Sequence, residues 1–148
     1  MFKPERILVP TDMSDNSDQA VRKALDIAKQ FGSEVFLLHV IQEPVQQCTV
    51  DYCISLELLN QLQAQMLESA RKGMRNQLGK FPGIDPDQIA MDIKTGTPYD
   101  EILKEADERG IDLIVISSLG STGLAKYLIG SVARHVLLGA KCSVLLVK

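Results

Sequence analysis

The stretch from Asp112 to Val132, DLIVISSLGSTGLAKYLIGSV, decides how the rest of the chain is interpreted. Its apolar run, Leu113 to Ile116, is typical of a buried strand, and the small residues that follow predict a loop with little side chain. Gly130 and Ser131 then open a new segment with helical periodicity. A strand, a loop of small residues and a helix start form an arrangement in which backbone N–H groups can face an anion. We therefore predict that this stretch binds phosphate.

Composition excludes several classes of protein. The chain of 148 residues, 45% hydrophobic and 24% charged, is most simply one domain over residues 1–148. Its net charge is −3, and its basic residues are spread out, which argues against nucleic acid or an anionic membrane as partner. No apolar run is long enough to span a membrane and no secretion signal is recognisable, so we expect a cytoplasmic protein. The three cysteines are expected to be free thiols.

Strand and helix patterns alternate along the whole chain. Apolar runs predict five strands, at Arg6–Thr11, Val35–Val40, Gln88–Lys94, Leu113–Ile116 and Ser143–Val147. Helical spacing of apolar residues predicts four helices, at Ser17–Phe31, at Ser55–Leu78, from Pro98 to a stop at Gly110, and at Gly130–Leu138. Residues 41–54 are expected to form an irregular surface loop. Without hairpin signals, this alternation predicts an α/β fold with a doubly wound parallel sheet and helices on both faces.

Two loops are expected to meet at one crevice in such a sheet. Ligands bind outside the carboxyl ends of the strands, where the strand order reverses. If the reversal falls between the first and fourth strands, one loop contains Pro10, Thr11 and Asp12. The other loop runs from Ser117 to Gly123. Asp12 would repel phosphates, so it suits a ribose hydroxyl group instead.

Glycine and serine supply the phosphate side of this crevice. Gly120 would let the backbone approach a phosphate closely. Gly130 and Ser131 would present free N–H groups and a hydroxyl at the positive end of a helix. A plainer interpretation is that Asp12 caps the first helix, Gly120 forms a turn and Ser131 is an N-cap.

Motifs for catalysis and metal binding are missing from the sequence. There is no P-loop, no G-x-G-x-x-G after the first strand, no G-x-S-x-G and no H-E-x-x-H. His39 and His135 lie far apart, and no Ser, Cys or Asp has a plausible His partner. We therefore predict no catalytic residue and no metal ligand.

Four segments carry a recognisable pattern. They are ILVPTDMSDNS (7–17), VFLLHV (35–40), GTPYDEI (96–102) and GSTGLAKYLIGSVARHVLLGAKCSVLLV (120–147). With these segments the chain resembles the universal stress protein family over essentially its whole length. The resemblance implies a five-stranded parallel sheet with strand order 3-2-1-4-5, of the adenine nucleotide alpha hydrolase-like type.

The resemblance also implies a ligand. The ATP-binding branch of the family carries G-x-x-G-x9-G-[ST], and here Ser117 replaces the first glycine while Gly120, Gly130 and Ser131 fit. Leu119 stands where many members have a polar or basic residue. By position, the adenosine would be lined by Pro10, Asp12 and the backbone of Val40, and the phosphates and ribose by Gly120, Gly130, Ser131 and Val132. The expected ligand is ATP, which can carry Mg²⁺. The full set of predicted nucleotide-binding residues is Pro10, Thr11, Asp12, Val40, Ser117, Gly120, Gly123, Gly130, Ser131 and Val132.

Assembly and function complete the expectations. The resemblance implies a homodimer through Ser143–Val147, whose apolar residues would make an unprotected sheet edge unless the chain's own helices cover it. The expected function is an ATP-binding regulatory module in stress response, with its protein partner unknown. Ser117 and Leu119 favour the alternative, a nucleotide-free dimeric interaction protein. A slow ATP hydrolase or autokinase is a weaker alternative, because hydroxyl groups lie near the expected phosphates but no candidate base does.

Overall fold

The apolar runs form one parallel sheet. The computed structural model describes residues 1–42, 55–119 and 128–148. Its sheet has five strands in the order β3-β2-β1-β4-β5, and every neighbouring pair is parallel. The strands are β1 (Arg6–Pro10), β2 (Glu34–Ile41), β3 (Ala90–Thr95), β4 (Leu113–Ser117) and β5 (Ser143–Val147). The predicted doubly wound fold and its strand order are confirmed.

Helices cover both faces of this sheet. They are α1 (Asp15–Phe31), α2 (Leu56–Gly79), α3 (Pro98–Glu108) and α4 (Ser131–Gly139). Side chains of α1 and α2 pack with Ile7 and Val9 on one face, and side chains of α3 and α4 pack with Leu8 on the other. Because β1 is buried on both faces, its apolar residues run without alternation.

Local capping sets the helix boundaries. Helix α1 begins two residues before the predicted start, because the Ser14 hydroxyl caps it and accepts from the N–H of Ser17 at 3.2 Å. It ends at Gly32, which has φ +74°. Pro98 occupies the first turn of α3 as predicted. Thr97 precedes it at the N-cap position, where its side chain makes no capping hydrogen bond.

Helix α2 runs unbroken through a glycine. Gly73 lowers helix propensity, yet it has a packing reason to be there. A Cβ at Gly73 would lie 2.4 Å from Sδ of Met13, so the glycine lets the loop after β1 approach the helix closely. Only the second half of α2 is buried, at Ala70, Met74, Gln77 and Leu78. Most apolar residues of its first half, such as Leu62, are exposed.

Some predictions fall on residues that the structure does not describe. The expected loop at 41–54 is covered only at Ile41, the last residue of β2, and at Gln42. Cys48, Cys53, Gly120 and Gly123 lie outside the described residues, as do all positions from 121 to 127.

Strand β3 begins two residues later than predicted, because Pro86–Gln88 forms a short 3-10 turn.

Candidate functional site

A cleft opens where the strand order reverses. β1 pairs with β2 on one side and with β4 on the other, so the loops after β1 and β4 leave the sheet next to each other. Between them lies a cleft of about 950 Å³. This volume is within the range of small-molecule sites, roughly 300–1,000 Å³. The reversal therefore falls between the first and fourth strands, the condition under which the two loops were expected to meet at one crevice.

The two loops singled out in the sequence line this one cleft. Its walls include Pro10, Thr11, Asp12, Val40, Ser117, Gly130, Ser131 and Val132, eight of the ten predicted binding residues. The other two, Gly120 and Gly123, lie outside the described part of the chain. The structure thus brings the predicted residues together, while their binding roles remain predictions.

Asp12 lies in the loop between β1 and α1 and faces solvent at the cleft. Its Oδ1 accepts hydrogen bonds from the backbone N–H of Ser14, at 3.0 Å, and from the Ser14 hydroxyl. Ser14, and not Asp12, is the residue that caps α1. The plainer interpretation of Asp12 as a helix cap is therefore wrong, and Asp12 is a carboxylate held at the cleft wall by Ser14.

Thr11 uses its polar atoms inside the protein. Its N–H donates to the carbonyl of Leu38 at 2.8 Å, and its buried hydroxyl donates to Oε1 of Gln77 at 2.7 Å. The same hydroxyl accepts from the N–H of Met13 at 3.0 Å. His39 approaches the Thr11 carbonyl through Nδ1 at 2.7 Å. A carbonyl can only accept, so Nδ1 of His39 carries the proton. Thr11 thus uses its hydroxyl, its N–H and its carbonyl to shape the loop.

Sequence reasoning missed Gln77 as a residue of this region. It is a buried amide on α2, one turn after Met74 on the face that packs against the sheet. A polar residue within an apolar helical row was the available signal, because buried polar groups need hydrogen-bond partners.

The N-terminus of α4 supplies the polar side of the cleft. The first hydrogen bond within the helix runs from Arg134 N–H to the Gly130 carbonyl at 3.0 Å. The N–H groups of Ser131, Val132 and Ala133 therefore have no acceptor within the helix, and they lie at its positive end. All three residues line the cleft. These amides are the donors that an anion in the cleft can reach.

Gly130 differs from its prediction. Its N–H donates to the carbonyl of Ser118 at 2.7 Å, so this amide is not free for a phosphate. Gly130 occupies the N-cap position and Ser131 is the first helical residue, so the interpretation of Ser131 as an N-cap is wrong. The hydroxyl of Ser117 donates to the carbonyl of Leu119 at 2.9 Å, which ties down the start of the loop after β4.

The backbone of Val40 faces the cleft because backbone groups alternate along a strand. The carbonyl of Leu38 accepts from Thr11 N–H on the β1 side of β2. The carbonyl of Ile41 accepts from Gly96 N–H at 2.9 Å on the β3 side. Val40 alternates with Ile41, so its N–H and C=O point to the β1 side. β1 has ended by then, since its last residue pairs with Leu38. The strand therefore presents one donor and one acceptor to the cleft.

Charge in the cleft is sparse. Among the described lining residues, Asp12 and His39 are the ionisable side chains, and none is Lys or Arg. Within the described ranges, no three His, Cys, Asp or Glu side chains are grouped so that they could hold a metal ion. Across residues 1–42, 55–119 and 128–148, no helix has the length and apolarity to cross a membrane. Helix N-termini are thus the described source of positive potential in the cleft.

Comparisons with known proteins agree with this architecture. Residues 3–148 match the model of the Universal stress protein family. Universal stress protein MJ0531 of Methanocaldococcus jannaschii is 34% identical over 145 residues, which cover 97% of this chain and 82% of that protein. The solved structure of protein MJ0577, from the same organism, has a TM-score of 0.81 and 31% identity, and the match covers 99% of this chain and 97% of that one. A solved universal stress protein in complex with cAMP has a TM-score of 0.63 and 24% identity, over 99% of this chain and 98% of that one. The chain belongs to the universal stress protein family.

Proposed function

We propose that the protein is an ATP-binding regulatory module that acts in stress response as a cytoplasmic homodimer. One observation carries the nucleotide part of this proposal. The loop containing Asp12 and the N-terminus of α4 are far apart in sequence, yet both line the same cleft. A carboxylate from the β1 loop and amides that have no acceptor within α4 suit a ligand with hydroxyl groups at one end and phosphates at the other.

Each part of ATP has a place in this arrangement. The N–H and C=O of Val40 match a base that carries both an acceptor nitrogen and an amino donor, as adenine does. Asp12 accepts from the ribose hydroxyl groups. The amides of Ser131 and Val132 donate to phosphate oxygens, and Mg²⁺ arrives with the phosphates, which are its usual ligands in nucleotide sites. Gly120 and Gly123 remain proposed phosphate contacts.

Calorimetric titration with Mg-ATP and thermal unfolding at the same ligand concentrations test this proposal. Bound ATP stabilises the fold by about 2.7 kcal/mol when its concentration is 100 times Kd, so the melting temperature should rise with ATP. We expect the variant Gly130→Leu to lose binding, because a side chain would enter the cleft at the start of α4. The φ of Gly130 is −59°, which leucine adopts without strain, so the ligand-free variant should stay folded.

The ligand series should contain adenosine and cAMP as well as ATP. Another universal stress protein has been solved in complex with cAMP. No heat of binding and no rise in melting temperature with any of these ligands would overturn the nucleotide proposal. Any slow ATP turnover that survives in Gly130→Leu would come from a contaminant.

A nucleotide-free interaction protein is the second candidate function. The observation that favours it is the lack of Lys and Arg among the described lining residues, together with the engagement of the Gly130 amide by Ser118. Under this candidate ATP changes the melting temperature of neither the wild type nor Gly130→Leu.

The dimer part of the proposal is supported by β5. Among the described residues this strand pairs only with β4, which leaves its other edge open. Leu145 is 36% exposed and Leu138, on the adjoining helix α4, is 79% exposed. An open apolar edge of this kind invites pairing with a second copy.

Leu145→Lys should convert the dimer to a monomer. Pairing of two β5 edges would bring the two lysines close together, and a charge on an edge strand opposes such pairing. Sedimentation velocity at micromolar concentration measures the change, with the exposed Gln63→Lys on α2 as a charge-matched control. A wild type that sediments as a monomer would contradict the proposed assembly.

A further inference from the structure

Helix α2 holds the Asp12 loop through a buried side chain. Gln77 is 2% exposed, although its amide is polar. Its Oε1 accepts from the Thr11 hydroxyl at 2.7 Å. Its Nε2 donates to the Ser17 hydroxyl at 3.0 Å and to Oδ1 of Asp18 at 2.7 Å. One amide of α2 thus connects the loop before α1 with the first turn of that helix.

The partners of Gln77 extend this network to both ends of the loop. The Thr11 hydroxyl that donates to Gln77 also accepts from Met13 N–H at 3.0 Å. The Ser17 hydroxyl donates to the carbonyl of Ser14 at 2.8 Å. Asp12 lies between these anchored residues, and its carboxylate is bonded to Ser14. The Asp12 side chain therefore lies on a loop that is bonded to α2 directly at Thr11 and, at Ser14, through Ser17 of α1.

Met13 gives a second reason why the loop needs α2. Its φ is +63°, a left-handed conformation that is rare for a residue with a side chain. Such a conformation persists only where the surroundings enforce it. Here the Met13 side chain packs against Gly73 of α2, where any side chain would be in its way. Contacts with α2 at Gly73 and Gln77 are thus in a position to enforce it.

We propose that Gln77 is a positioning residue that holds the loop from Thr11 to Met13 in its strained shape and thereby sets the selectivity of the cleft for ribose hydroxyl groups. The selectivity part rests on the proposed ATP-binding function. Gln77 touches no ligand in this scheme and acts through Thr11 on Asp12.

The variant Gln77→Met tests the proposal, because methionine keeps the length of the side chain and removes its three hydrogen bonds. The readout is the ratio of the dissociation constants for 2′,3′-dideoxy-ATP and ATP. In the wild type this ratio should be about tenfold or more, as expected for hydrogen bonds to a charged group. In Gln77→Met it should fall to within about threefold of unity, since Asp12 is then no longer fixed. A purely structural role would weaken both nucleotides equally and leave the ratio at its wild-type value, which would overturn the proposal.

Amide hydrogen exchange tests the positioning role of Gln77 without any ligand. Exchange of the Met13 amide should speed up by about tenfold or more in Gln77→Met, while amides of β4 keep their wild-type rates. The control is Ile7→Val, which removes one buried methyl group at the opposite end of β1. It should alter neither the Met13 amide nor the nucleotide ratio. An unchanged Met13 amide in Gln77→Met would overturn the positioning role.

A second variant covers the case in which Gln77→Met does not fold. Thr11→Val removes the hydroxyl at the other end of the same hydrogen bond and should give the same reduced nucleotide ratio. The ratio is the readout for this variant, because the substitution also removes the acceptor of the Met13 N–H. Where both single variants fold, the double variant should be no worse than either, because their effects share one interaction. If the wild type binds no ATP, the proposed function and the selectivity part both fail, and the exchange rates alone decide the positioning role.

Discussion

Ser131→Asp should weaken ATP binding by about thirtyfold or more without lowering the stability of the ligand-free protein. Ser131 is the first residue of α4 and lines the cleft. A carboxylate in the first turn of a helix interacts favourably with the helix dipole, by about 0.3–1 kcal/mol, so the fold should tolerate the change. The same charge would repel a polyphosphate at the helix end. Two like unit charges at 4 Å repel by about 4 kcal/mol at an effective dielectric constant near 20, and about half of that suffices for thirtyfold.

Adenosine is the control ligand that separates an effect on the phosphates from an effect on the rest of the nucleotide. It has no phosphates, so its dissociation constant should stay within about twofold in Ser131→Asp, well inside the scatter expected for a surface substitution. The neutral isostere Ser131→Asn is the matched control and should resemble the wild type with both ligands. Titration calorimetry in low salt measures both affinities. Equal weakening of ATP and adenosine by Ser131→Asp would show that the phosphates do not lie at the start of α4.

Arg109→Met should lower the free energy of unfolding by about 2 kcal/mol at neutral pH. Arg109 forms an ion pair with Glu105, whose side chain is only 4% exposed, and its guanidinium lies 5.0 Å from the ring centre of Phe36. Removing one partner of a buried pair leaves an uncompensated carboxylate, which costs about 3–5 kcal/mol when both partners are buried. Arg109 is 39% exposed, and Lys94 remains 3.9 Å from Glu105, so a smaller loss is expected.

Urea unfolding followed by circular dichroism measures this loss. The double variant Arg109→Met with Glu105→Gln should recover part of it, because the buried carboxylate is then gone as well. A loss in Arg109→Met no larger than that of an ordinary surface substitution, about 0.5 kcal/mol, would contradict the prediction. ATP binding should be unaffected, since neither residue lines the cleft.

The ion pairs among Asp92, Lys94, Glu105 and Arg109 also make the stability of the fold depend on pH in the acid range. Burial by itself raises the pKa of Asp92, but hydrogen bonding with Glu105, the charge of Lys94 and the guanidinium of Arg109 outweigh it, so the net pKa lies below its usual value. The stability that Asp92 contributes is therefore present above its unfolded pKa, about 3.9, and is lost as the pH falls through the lower folded value. Unfolding below about pH 4 should accordingly be less steep in Arg109→Met than in the wild type.

Much of the fold and of the cleft is encoded in short patterns. The non-alternating runs at Ile7–Val9 and Leu113–Ile116 predict strands buried on both faces, and β1 and β4 are such strands. Apolar spacing between them predicts the helices. Crossover connections then bring the loops after β1 and β4 to the same end of the sheet, so the position of the cleft follows from the order of the elements.

Details of hydrogen bonding in the cleft could not be read in the same way. The sequence predicts a free amide at Gly130, but the amide is bonded to Ser118, which only the path of the chain after β4 reveals. Thr11 lies in a loop that was predicted to bind the nucleotide, and its hydroxyl is bonded to Gln77, a residue 66 positions away. From the sequence, Gly73 lowers the helix propensity of α2. In the structure it is the position where the Met13 side chain packs against the helix.

The sequence by itself determined the class of the fold, the strand that starts it, and the two loops that line the cleft. Periodicity and turn chemistry act over a few residues, so they can be read from neighbours along the chain. Only the tertiary structure decided which polar groups at the cleft remain available to a ligand. The donors and acceptors there form hydrogen bonds with partners that are near in space, and packing brings those partners from distant segments of the chain.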